Sequence, residues 1–144
     1  MEFDITVEGL DEMAEALGTT LAEVLPATAV GVGKAAKLVA KDARKLVPVD
    51  TGDLRKRIRA RSPKIDGDTV EAKVVANTEY ALYVEYGTGI RGAESELPAG
   101  MPPVTYLTDW NGQRAQPFMY PAKKQNEQRA QEIIADEIQK AVEK

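Results

Sequence analysis

Phe3, Ile5 and Val7 alternate with Glu2, Asp4, Thr6 and Glu8 at the head of the chain. A period of two predicts a strand with one buried face. Gly9 interrupts it, and Leu10, Met13, Ala14 and Leu17 then recur at helical spacing up to Gly18. Thr20 and Glu23 have the spacing of a capping box for the next helix. Pro26 lies either in the first turn of that helix or at its start. From Ala27 to Val47, Val32, Ala35, Ala36, Val39, Ala43 and Leu46 form one stripe, and Lys34, Lys37, Lys41 and Lys45 lie away from it. A stripe so rich in alanine and glycine favours close approach of another backbone surface, most simply a sheet.

Pro48 has no amide proton and drives Val47 out of the helical region, so the long helix must stop there. Asp50 and Thr51 can each bond nearby backbone, and Gly52 permits a positive φ. The sequence therefore predicts a sharp turn that leaves Leu54 starting a strand. Leu54, Ile58 and Ala60 would share one face of it, and Arg55, Arg57, Arg59 and Arg61 the other. Asp66-Gly67-Asp68 signals a turn, and Val70, Ala72, Val74 and Ala76 alternate beyond it, completing a β-hairpin whose apolar face suits the long helix.

Tyr80, Tyr83 and Tyr86 are spaced by three, which predicts a helical turn leading into a short strand. Ile90 to Gln116 is irregular, with Pro98, Pro102, Pro103 and the single tryptophan, Trp110. A loop this long in a small domain is functional or mobile. Pro121 suits the first position of a last helix, with Ala130, Ile133, Ile134, Ile138 and Ala141 on its buried face. The expected fold is α+β: a small antiparallel sheet, a long helix packed on one face and a C-terminal helix. It forms one domain over residues 1–144, with the irregular loop at 90–116.

Composition narrows the chemistry. The chain has 144 residues, 43% of them hydrophobic, enough for a core. It has no cysteine and no histidine, which removes disulfides, Ser-His-Asp and Cys-His catalysis and the usual zinc ligands. No cofactor or metal is expected. The longest apolar-leaning run falls far short of the ~20 residues that span a bilayer, and the first residues lack the basic region of a signal peptide. The expectation is a soluble protein kept inside a cell and not bound to membrane.

Net charge is −4, but its distribution matters more. Met1 to Gly33 carries seven acidic residues and no Lys or Arg, whereas Lys34 to Lys64 carries eleven basic residues against three acidic ones. The basic block could meet nucleic acid, or the acidic part of a neighbouring copy, or only water.

Three motifs carry functional readings. Asp50-Thr51-Gly52 has the form of the aspartic-protease triplet, in which two carboxylates share a proton. Here Asp53 and a basic run follow at once, where that triplet expects apolar strands. Gly87-Thr88-Gly89 lacks the Gly-Lys-Ser/Thr of a phosphate loop. The row Arg55, Arg57, Arg59, Arg61 could serve nucleic-acid binding, although no helix-turn-helix or zinc pattern accompanies it.

Taken in order, P-V-D-T-G-D-L, Y-A-L-Y-V-E-Y-G-T and W-x-G-x-x-A-x-P-F-x-x-P-A before a terminal helix resemble the neck or tail-completion (head–tail joining) family of long-tailed bacteriophages and prophages. The matching positions are Pro48, Asp50, Thr51, Gly52, Leu54, Tyr80, Tyr83, Glu85, Gly87, Thr88, Trp110, Gly112, Pro117, Phe118, Pro121 and Ala122. Ile90 to Asp109 matches nothing in that pattern. The resemblance implies a virion structural protein, made in the host cytoplasm and placed in the neck. It would act as a ring-forming subunit that meets itself and connector and tail proteins, with the DNA threading the ring as a further candidate partner. It implies no enzyme activity.

Overall fold

In the computed structural model, which describes residues 1–143, the order of elements is β1 (Glu2–Val7), α1 (Leu10–Ala16), α2 (Leu21–Leu46), α3 (Asp53–Lys56), β2 (Ile58–Ala60), β3 (Lys64–Asp66), β4 (Thr69–Ala76), α4 (Ala81–Tyr86), α5 (Gly89–Ala93), α6 (Met119–Gln125) and α7 (Glu127–Val142). The fold is α+β, as the sequence pattern predicts.

Strand β4 lies at the centre of an antiparallel sheet. It pairs with β1 from Glu2 opposite Val75 to Val7 opposite Val70. Its other edge is shared by β2, with Ile58 opposite Ala76, and β3, with Lys64 opposite Glu71. This register puts Phe3, Ile5, Val7, Ile58, Ala60, Val70, Ala72, Val74 and Ala76 on one face, and charged residues on the other.

Helix α2 covers the apolar face with Val32, Ala36, Val39, Ala40 and Ala43, all buried. Helix α7 lies against α2 as well. A methyl group built on Gly31 would stand 2.8 Å from the Ile134 Cα, so the two helix backbones nearly touch there. The small-residue stripe thus meets two surfaces, and its glycine serves the terminal helix. Full burial of each valine or leucine in this core contributes about 1.5–3 kcal/mol.

Several local expectations are corrected. Helix α2 starts at Leu21, which puts Pro26 in its second turn and not in the first turn or at the start. The carbonyl that loses its partner belongs to Ala22, an exposed residue. Thr20 is the N-cap residue, but its side chain makes no capping bond, and Glu23 instead accepts from the Thr19 hydroxyl. At the other end the helix stops at Leu46, which is exposed, and Val47 turns extended and fills the core position.

Leu54 does not start a strand. Gly52, at φ 84°, lets the chain enter one helical turn, α3, closed by the Lys56 amide donating to the Gly52 carbonyl. Leu54 is buried from that turn, and the strand begins only at Ile58. The short strand expected after Tyr86 is a single bridge between Thr88 and Gln113.

Pro121 is the third residue of α6, and the terminal helix is broken at Asn126, whose amide donates to Ala122 O and Asp42 Oδ2. Of the predicted buried face only Ile138 is fully buried, and Ala130, Ile133, Ile134 and Ala141 are half-buried. Ala130, Ile134 and Ile138 line a groove between α7 and β1.

Candidate functional site

The segment from Pro48 to Arg57 folds on itself. The Thr51 hydroxyl accepts from the Asp53 amide at 3.3 Å, as the turn chemistry predicts. Asp50 is exposed, and the carboxylate that gathers partners is Asp53. Asp53 accepts from the Tyr80 hydroxyl at 2.9 Å and from the Arg57 Nε at 3.2 Å. The Tyr80 hydrogen bond first, and Arg57 second, hold the Asp53 carboxyl below its usual value, and the same bond raises the Tyr80 hydroxyl. This network joins the first motif to the second through two side chains that the sequence reading did not pair.

The second and third motifs meet at Glu85. Its carboxylate is fully buried and accepts three backbone amides: Phe118 at 2.8 Å and Met119 at 2.9 Å on Oε1, and Tyr120 at 2.8 Å on Oε2. These are amides that the first turn of α6 leaves without a helical partner, so Glu85 caps that helix from 33 residues away. Phe118 is fully buried beside it, with Ala122 on the next turn, whereas Pro117 and Pro121 are half-buried.

The glycines of Gly87-Thr88-Gly89 make room for a returning chain, not for phosphate. The Thr88 amide donates to Gln113 O, Ile90 to Trp110 O and Arg91 to Asn111 O. A methyl built on Gly112 would stand 2.0 Å from Thr88 O, so only glycine fits there at φ 70°. The Tyr106 hydroxyl donates to Tyr86 O at 2.7 Å, and the Ala115 amide donates to Ser95 Oγ. The base of the 90–116 loop is therefore tied down, and its middle stands out. Leu107 is 76% and Trp110 54% exposed. Tyr80 and Tyr83 are exposed as well.

The four-arginine row does not survive as one strand face. Arg55 lies on α3, Arg57 follows that helix, and only Arg59 sits in β2, opposite Val75. Arg57, Arg59 and Arg61 nonetheless line one shallow depression with Asn77. Glu71 does not serve that row and is engaged with Lys73. Lys73 lies 3.0 Å from Asp4, 3.6 Å from Glu2 and 3.6 Å from Glu71, and the Asp4 bond first keeps its ammonium above the usual value.

The charge split along the chain becomes a split in space only in part, since Glu2 lies opposite Val75 toward the basic end of β4 and Lys64 opposite Glu71 toward the acidic end. The Leu10 amide donates to Asp68 O, which sets α1 and its neighbours Glu8, Asp11, Glu12 and Glu15 at the start of β4. The Asn77 amide donates to Arg57 O, which sets Arg55, Lys56 and Arg57 at the other end. The eight residues of β4 separate the two groups by about 23 Å. Among the described residues, those four carboxylates and Arg55, Lys56, Arg59 and Arg61 make no ion pair.

Sequence reasoning missed Asp53, Tyr106 and Gln113. The spacing of Asp53 to Arg57, four residues, was a legible signal for a helical ion pair. Nothing local pointed to Tyr106 or to the reach of Glu85 to Phe118. Among the described residues no single helix is long and apolar enough to cross a membrane.

Comparison with known families gives a match over the first part of the chain. The model of the family described as "Bacteriophage HK97-gp10, putative tail-component" covers residues 10–87. That span includes α1, the Asp50-Thr51-Gly52 turn, the central strand and α4, and ends at Gly87. No curated protein and no solved structure matches the chain.

Proposed function

The chain belongs to the HK97-gp10-like family of phage tail components, and from that premise we propose that it is a neck or tail-completion subunit that assembles head to tail into a ring. In this reading residues 1–144 act as one structural domain without catalytic activity. It joins the tail to the head connector, contacting connector and tail proteins, and is built in the host cytoplasm before entering the virion.

The observation that carries the reading is the spatial charge split. A closed ring needs two different surfaces on each subunit, one meeting the next copy. The carboxylates by α1 and the arginines by α3 and β2 lie at opposite ends of β4, so the basic end of one copy can meet the acidic end of the next. Each exposed pair contributes only ~0.2–1 kcal/mol, so several together give orientation and salt sensitivity more than strength.

Native mass spectrometry of the purified protein, with and without salt, tests this. The reading expects a single closed multimer that loosens as salt rises and that weakens when Arg57 and Arg59 are both changed to Glu. The competing use of the Arg57, Arg59, Arg61 depression is contact with DNA passing through the ring. If the double variant assembles normally at low salt but loses DNA binding that the parent shows, the subunit-contact assignment is wrong and the DNA-facing one replaces it.

A further inference from the structure

Between β1 and α7 runs an open groove of about 1000 Å³, room for several large side chains. Its walls are Phe3 and Ile5 on the strand and Ile134, Ile138 and Val142 on the helix, with Val39 of α2 at its floor. Phe3 and Ile5 face the core side of the sheet yet stay half-buried, because no element among the described residues closes the gap. Apolar walls of this extent on a small domain mark a contact surface.

The same chain carries a segment suited to such a groove. Residues 101–110 form no helix or strand, and the run from Leu97 to Thr108 has no charged residue. Val104, Leu107 and Trp110, spaced by three, are among the exposed large hydrophobic residues of the molecule. The arm is tied at two of its own positions, by the Tyr106 hydroxyl on Tyr86 O and by the Trp110 carbonyl, which accepts from the Ile90 amide, so Leu107 stands between two held points and the ordering cost of docking is limited. Asp109 is the only charged residue between Leu97 and Gln113. Among the described residues Lys123 is the one cation on the groove wall, 5.6 Å from the Phe3 ring centroid, and Asp4, Glu127 and Glu143 line the groove as well, so Asp109 has a single place to pair.

We propose that the groove receives the 101–110 arm of the next copy of this chain, with Leu107 and Trp110 between Phe3 and Ile134 and with Asp109 toward Lys123. The inference rests on the head-to-tail ring and names its apolar contact. The charged ends of β4 orient the subunits, and the arm locks them. Groove and arm are different surfaces of the subunit, so the contact repeats from copy to copy and closes only when the ring closes.

The chain has no cysteine of its own, which makes the test direct. Full-length Leu107→Cys and Ile134→Cys proteins are prepared separately, mixed and oxidised. The expected product is a disulfide-linked pair containing one of each, with the double variant giving a ladder up to the ring size. In parallel, Leu107→Asp should weaken self-association at least about tenfold while leaving the circular dichroism and unfolding midpoint of the subunit unchanged.

A ring that forms normally with Leu107→Asp and yields no mixed disulfide overturns the arm contact and leaves the ring reading standing. A protein that stays monomeric at all concentrations overturns both. A double variant that links only within one chain overturns the inference by showing that the arm fills its own groove. Unchanged self-association of Leu107→Asp with lost binding to tail-tube protein overturns it in favour of a tail-protein occupant.

Discussion

Glu85 Oε1 lies 2.8 Å from the amide nitrogen of Phe118. One buried carboxylate thereby joins α4 to the start of α6, and the Met119 and Tyr120 amides complete the set. The two elements bracket the long loop, so the loop leaves and returns at a fixed point. At a site closed to water these charge-assisted bonds offset the burial of the carboxylate, and removing either partner leaves buried groups unsatisfied at high cost.

Replacing Glu85 should therefore cost more than a surface change. Glu85→Ala leaves three amides at a buried helix start without acceptor and should lower stability by about 3 kcal/mol or more. Glu85→Gln keeps one acceptor oxygen but turns an NH2 toward a donor, so it should fall between. Urea unfolding gives the magnitudes. Hydrogen exchange supplies the specific signature: the Phe118, Met119 and Tyr120 amides should lose protection in both variants before the sheet does.

The Asp53–Tyr80 bond makes a pH prediction. The Asp53 carboxyl is lowered in the folded chain from 3.8, chiefly by Tyr80 and then by Arg57. Its contribution to stability is thus present above about 3.8 and lost as pH falls through the lower folded value. Tyr80 is raised, so its contribution is present below 10.0 and lost as pH rises through the higher folded value. Tyr80→Phe should move the Asp53 titration back up toward 3.8, read by carboxyl NMR. Both groups are exposed, so the stability effect should be small. An unmoved Asp53 titration would show that the bond is not formed in solution.

How much of this could be read from the chain depends on range. The inward faces of β1, β2 and β4, α1, the buried alanines of α2 and the end of that helix before Pro48 follow from local period and from Pro48, whereas the pairing of β1 with β4 joins strands far apart in the sequence and has no local signal. Leu54 was misplaced because Gly52 and Asp53 together favour a helical turn that an alternating Leu-Arg pattern hides. Pro26 was misplaced because tertiary packing carries α2 past a residue that disfavours its interior. The contact of Glu85 with Phe118 spans 33 residues, and only the joint presence of the two motifs hinted at it. The groove was invisible, since α7 and β1 stand at opposite ends of the sequence.

Gly112 and Gly67 form a matched pair. Both have positive φ, 70° and 61°. A methyl on Gly67 meets nothing within 4 Å, so Gly67→Ala should cost only the left-handed strain of about 1–2 kcal/mol. A methyl on Gly112 would clash with the Thr88 backbone, so Gly112→Ala should add at least another 1–3 kcal/mol of overpacking and release the loop base. Unfolding midpoints compare the two, and the release should show as lost protection at the Thr88 and Ile90 amides.

Asp50 gives a test of the non-catalytic reading. It stands exposed in the turn, while Thr51, Gly52 and Asp53 make the contacts that shape it. Asp50→Asn should keep the fold and the unfolding midpoint to within about 0.5 kcal/mol. Acid-optimal peptide cleavage by the parent that vanishes in this variant would reverse the assignment of the turn as structural.

The loop from Ile90 to Gln116 should respond to assembly in its middle and not at its base. The base is held by the Thr88–Gln113 bridge, by Ser95 on Ala115 and by Gln116 on Val84. The arm beyond it keeps Leu107 and Trp110 in water, and exposed apolar residues in irregular chain are where proteases cut first. Limited chymotrypsin digestion of the monomer should therefore cleave after Leu107 or Trp110 before any site in the sheet or helices. In the assembled state that cleavage should slow markedly while cleavage at Tyr83, exposed on α4, serves as the internal reference. Equal cleavage rates at the arm in monomer and assembly would mean that the loop takes no part in the contact between copies.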